Sequence, residues 1–165
     1  MTDLLLPEQR KFDELQFDQA EWQTEQWRDQ KTRHIALHIG KAVGKLIGVT
    51  YESRRIVAAD LSIYRSQLIN THEIDPSCAV DLPDKFLHLT AEFSTISAFA
   101  HLANYLEPGE HSAVIPSKRD HHTLEAVRHL HHASLSLAGE HEIDLRQIHM
   151  QRLRQNLGSR AAFLD

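Results

Sequence analysis

The sequence predicts an all-α protein, on three observations. Apolar residues recur at helical spacing in six segments, no stretch alternates apolar and polar residues as a half-buried strand does, and Pro108, Gly109 and Gly139 fall at segment ends. The expected architecture is a four-helix-bundle core of two helical hairpins, with additional N- and C-terminal helices packed against it.

Pro7 opens a first helix to about Asp29, which carries Phe12, Leu15, Trp22 and Trp27. A second runs from about Thr32, its expected N-cap, to Val49. A third, from Ser53 or Arg54 to Asn70, repeats Ile56, Val57, Leu61, Tyr64 and Leu68. The run DPSCAVDLPDK, with two prolines, reads as a connection. The fourth helix, Phe86 to Leu106, is expected to bury Leu89, Phe93, Ile96, Phe99, Ala100 and Ala103. The segment from His111 to Lys118 reads as a loop, and Asp120 is the expected cap of a fifth helix that stops at Gly139. A sixth helix, Asp144 to Leu157, places Leu145, Ile148 and Leu153 on one side.

The tetrapeptide HEID closes both the third helix (His72–Asp75) and the fifth (His141–Asp144). It suggests one domain over residues 1–165 containing two repeated hairpins, about 32–75 and 86–144.

A length of 165 residues with 41% hydrophobic content suffices for one packed core. Three leucines before Pro7 are too few for a signal-peptide core, and no run approaches 18 apolar residues, so no membrane partner is expected. Cys78 is the only cysteine, which rules out an intramolecular disulfide and makes a cytoplasmic location the simpler expectation. A formal charge of -5 argues against non-specific nucleic-acid binding, which needs a basic surface. Thirteen histidines are enough to reverse that sign if all were protonated.

The chain is organised around HIALHIGKAVGKL, His34 to Leu46. At about 100° per residue, Ile35, Ile39, Ala42, Val43 and Leu46 fall together, and His34, His38, Lys41 and Lys45 form a second stripe beside them. Cations and imidazoles on one face suit an anionic ligand such as a phosphate, so these four are candidate ligand-binding residues. His34 and His38 have the i, i+4 spacing of metal ligands but no acid in an H-E-x-x-H arrangement, and no metal ligand is assigned. Asp60 falls in the apolar stripe of the third helix, and Glu92 in that of the fourth. Two inward carboxylates need partners, either ions across the bundle or a ligand, and both join the candidate set. On the fifth helix His122, Glu125, His129 and His132 lie opposite Val127, Leu130, Ser134 and Leu137, so a solvated face is expected, with a surface transition-metal site or a subunit contact as the alternative.

The runs WRDQKTRHIALHIGKAVGKL, IVAADLSIYRSQL and HEIDLRQIHMQRLRQN resemble the MazG-like all-α nucleoside triphosphate pyrophosphohydrolases, over about residues 27–68 and 124–156. In that family a helix with E-x-x-E precedes one with E-x-x-D, and these carboxylates hold magnesium on a triphosphate. Carried over, the first motif falls on Ala42 and Lys45, and the second on Val57 and Asp60. Only Asp60 keeps its acid. In the second half Glu92 is followed by Thr95, and Glu125 by Arg128. The resemblance therefore implies a member whose metal site is dismantled, a non-catalytic nucleotide-binding or oligomeric interaction protein with no cofactor expected and Lys45 replacing the metal beside Asp60. Homo-oligomers are usual in the family, and the apolar surface of the first and sixth helices offers an interface. The alternative is a divalent-metal-dependent pyrophosphohydrolase using magnesium or manganese through Asp60 and Glu92. No catalytic residue is assigned.

Overall fold

The computed structural model describes residues 7–47, 51–107 and 116–161, with side chains over 26–47, 52–107 and 119–156. The protein is all-α. Its helices are α1 (Pro7–Leu46), α2 (Tyr51–His72), α3 (Pro76–Val80), α4 (Ala91–Leu106), α5 (Pro116–Glu140) and α6 (Leu145–Ala161), with a 3-10 turn at Asp84–Phe86 and no strand among the described residues. None of the described helices is long and apolar enough to cross a membrane.

The two expected N-terminal helices are one continuous helix of 40 residues. No proline or glycine separates Asp29 from Thr32. Thr32 is fully buried, and its hydroxyl donates to the Arg28 carbonyl at 2.8 Å, the bond of a helix interior and not of an N-cap. Phe12, Leu15 and Trp22 lie outside the described side chains, and Trp27 is exposed. Asp120 likewise lies inside α5, which starts at Pro116. The expected loop from His111 lies outside the described residues up to 115.

α1 packs against α2 and α4, α5 packs against the same two helices, and α6 lies mainly on α2. The core between them holds Ile35 and Ile39 of α1, Val57, Leu61 and Leu68 of α2, and Val127, Leu130 and Leu137 of α5. Each such side chain, fully buried, contributes roughly 1.5–3 kcal/mol.

The two HEID sequences make the same turn. Glu73 and Glu142 both have φ of 52°, the left-handed conformation that ends a helix. The next amides, of Ile74 and Ile143, donate back to Ile69 and Ala138 at 3.0 and 2.8 Å. Asp75 and Asp144 then cap the following helices through the amides of Ser77 and Gln147.

α4 is rotated from the expected orientation. Its inner face is Ala91, Ser94, Thr95, Ala98 and Leu102, whereas Phe93, Ile96 and Phe99 are 55%, 46% and 39% exposed and Ala100 and Ala103 are also exposed. Small inner side chains let α5 approach closely, and the buried hydroxyls are satisfied: Thr95 donates to the Ala91 carbonyl at 2.7 Å, and Ser94 pairs with His132 Nδ1 at 2.9 Å. A helix that is apolar on most sides gives periodicity little power to choose which side is buried.

Histidines recur as ties between helices. His72 Nε2 lies 2.8 Å from Thr32 Oγ1 and joins α2 to α1; since the Thr32 proton goes to Arg28, the imidazole N–H is the donor. His149 Nδ1 meets Ser62 Oγ at 2.8 Å and joins α6 to α2. Burial holds both imidazoles below the ordinary histidine range, His72 at about 4.

Candidate functional site

A cleft of about 420 Å³ opens between α1, α2 and α6. The stripe read from the sequence forms one wall: His34, His38, Lys41 and Lys45 all line it, as successive turns of one helix. α2 supplies Asp60 and Tyr64 to the opposite wall, and α6 supplies Arg152. The imidazoles of His34 and His38 meet edge to face at 4.5 Å between centroids, and the Tyr64 hydroxyl lies 3.3 Å from His38 Nδ1. Desolvation, with His34 and Lys41 nearby, lowers the His38 pKa, and burial followed by the Asp60 charge pushes Tyr64 up to about 12. At neutral pH the cleft therefore presents a neutral imidazole and a neutral phenol beside fixed cations.

Asp60 is 6% exposed and is paired, as a buried carboxylate must be. Its partner is Arg152, whose Nε donates to Oδ1 at 2.8 Å. This corrects the expectation that Lys45 would fill the metal's place. Lys45 is exposed at the cleft rim, while α6 lies across α2 and brings a guanidinium directly over the acid. Arginine also suits the position better, being a planar donor that is always charged.

Glu92 does not join the cleft. Its carboxylate accepts from Arg54 at 2.7 Å, and Arg54 also reaches Glu140 at 3.2 Å, in a partly exposed bridge between α4, α2 and α5. Desolvation raises the Glu92 pKa, but its own backbone amide and Arg54 outweigh that and leave it lowered.

The histidine-bearing face of α5 is not the solvated one expected. Glu125 and His129 are 3% and 7% exposed, because α5 has α4 on one side, α2 on another, and the α3 segment over a third. Their neighbours are His101 of α4, stacked on His129 at 5.6 Å, and Phe86 of the 3-10 turn at 4.7 Å. Lys85 Nζ reaches Glu125 Oε2 at 2.6 Å, and Arg128 reaches Oε1 at 2.9 Å. Burial raises the Glu125 pKa, and these two cations reverse that to a net lowering. Burial lowers His129 to about 4 and also lowers His101. The ligand-capable atoms of His101, Glu125 and His129 all lie within 4.8 Å of one another. The i, i+4 spacing of Glu125 and His129 was visible in the sequence, but nothing in it placed His101 opposite.

Of the clefts among the described residues, one is rich in cations around a neutralised acid and another places two imidazoles around a buried carboxylate. Compared with known protein families, curated proteins and solved structures, the chain matches none.

Proposed function

We propose that the protein is a non-catalytic binder of a nucleotide, held by its phosphates in the α1–α2 cleft of a four-helix, MazG-like bundle. The observation that supports this most is the charge of the cleft. Lys31, Lys41 and Lys45 line it, and the single carboxylate among its lining residues, Asp60, is already neutralised by Arg152. Phosphate oxygens would meet Lys41 and Lys45 as mobile point charges at the rim, and the neutral His38 and Tyr64 offer hydrogen bonds deeper in.

Hydrolysis through magnesium would instead require several oxygen ligands around the ion. Among the described residues no three carboxylates come together, and the single group of three metal-capable side chains contains two histidines. This favours binding over the pyrophosphohydrolase alternative. A second part of the reading, self-association, is supported by the exposed Phe93, Ile96 and Phe99 on α4, an apolar stripe of the kind that marks contact surfaces.

Calorimetry with nucleoside triphosphates and with inorganic tripolyphosphate, with and without magnesium or manganese, tests the main reading. Binding that persists without metal, weakens with salt, and falls at least about tenfold in Lys41→Glu/Lys45→Glu is expected. Release of pyrophosphate in the presence of metal would transfer the assignment to the hydrolase alternative, and absence of binding at millimolar nucleotide would reject both.

A further inference from the structure

We propose that His101, Glu125 and His129 are the protein ligands of a divalent transition-metal site, suited to zinc, between α4 and α5. Two imidazoles and one carboxylate form a donor set that zinc-class ions take readily, and magnesium, which prefers oxygen from six directions, takes poorly. The proposal is independent of the nucleotide cleft, which lies on the other hairpin.

The geometry is close to a ligand sphere. Glu125 and His129 are one turn apart on α5 and share a face, and His101 meets them from α4. Donor atoms around a tetrahedral zinc lie about 3.3 Å apart, so separations of up to 4.8 Å close by side-chain rotation, chiefly of the half-buried His101. His129 also has a buried ring nitrogen, Nδ1, with no hydrogen-bond partner among the described residues. This gives the group a buried imidazole with unused hydrogen-bonding capacity next to a buried carboxylate.

Lys85 is the cation with which an ion would compete for Glu125. Its ammonium supplies the positive charge on Glu125 Oε2, from a side chain that is 56% exposed on the 3-10 turn. An entering ion would take that oxygen and release Lys85 into water at small cost, while Arg128 keeps its hold on Oε1 and fixes the carboxylate. The Nδ1 of His122 lies 3.2 Å from Nδ1 of His101, the third ligand. Three protein ligands would leave a coordination position open, and all three line a cleft of about 420 Å³ that is also bordered by Ser97, Asn104 and His121. An ion here would therefore carry a water or an anionic ligand.

The test uses the full chain, stripped with a chelator. Zinc affinity is read by competition with a chromophoric chelator, and geometry by the visible absorption of the cobalt(II) form. One zinc per chain, intense four- or five-coordinate cobalt bands, and no competition from millimolar magnesium are expected. His101→Ala and Glu125→Gln should each weaken zinc binding at least about tenfold with helicity unchanged. Lys85→Met, which leaves Arg128 paired with Glu125, should tighten it several-fold by removing the competing cation, and His121→Ala on the cleft rim should leave it unchanged. Affinity unaltered in both His101→Ala and Glu125→Gln, loss that follows His121→Ala instead, weak octahedral cobalt bands, or weaker binding in Lys85→Met would each overturn the assignment.

Discussion

Arg152 donates through Nε to Asp60 Oδ1 at 2.8 Å, across 92 positions of sequence, and so fixes α6 over the cation-lined cleft. The acid side chain is 9% exposed and the guanidinium side chain 32%, so one end of the pair is dry and the other touches water. Removing the guanidinium strands a buried carboxylate, whereas the lysines at the rim lose only solvated charge.

Arg152→Ala should therefore destabilise the protein by about 2 kcal/mol, less than the loss of a wholly buried pair because water reaches the vacated side. Lys45→Ala and Lys41→Ala should each stay within about 0.5 kcal/mol. Adding Asp60→Asn to Arg152→Ala should recover part of the loss. Urea unfolding of the four variants decides the matter, and a Lys45→Ala as damaging as Arg152→Ala would restore the lysine as partner of Asp60.

Stability should fall as the pH drops below neutral. His72 titrates at about 4 when folded, against about 6.5 for an imidazole in an unfolded chain, so the unfolded state takes up the proton first. The contribution of a neutral His72 is complete above about pH 6.5 and drains away as the pH approaches 4. His149, also lowered by burial, acts in the same direction. Melting temperatures between pH 7 and pH 5 should decline, and His72→Gln, which keeps a donor for Thr32 but cannot titrate there, should decline less. Parallel curves for the two proteins would contradict this.

The two HEID turns should respond alike to glycine. Glu73 and Glu142 hold φ of 52° despite carrying a Cβ, and glycine adopts that conformation without steric cost. Glu73→Gly and Glu142→Gly should each stabilise by about 0.5–1 kcal/mol, net of the added freedom of the unfolded chain. Thermal unfolding of the single and double variants measures this, and additivity is expected because the turns lie at the ends of different hairpins.

Self-association, if it runs through α4, should depend on its outer stripe. Phe93→Ser/Ile96→Ser removes two apolar side chains that lie outside the buried core, so the fold should hold while the oligomer dissociates. Light scattering coupled to size exclusion reads the mass of both proteins. An unchanged oligomer in the variant, or a monomeric parent, would remove α4 from consideration.

What the sequence determined by itself is local. Helical spacing identified an all-α chain, the grouping of His34, His38, Lys41 and Lys45 on one face of α1, and a recurring HEID that proves to be a recurring turn, since each depends on residues within a few positions of one another. Tertiary structure decided the rest: Arg152 and not Lys45 on Asp60, Glu92 drawn to Arg54, Glu125 and His129 buried against His101, and Phe93, Ile96 and Phe99 turned outward. Periodicity says which side chains share a face. It does not say which face is covered when a helix such as α5 has neighbours on several sides, or when α4 offers an apolar surface on most of them. Nor does it give the partner of a buried charge, because that partner arrives from wherever the packing of distant helices places a donor.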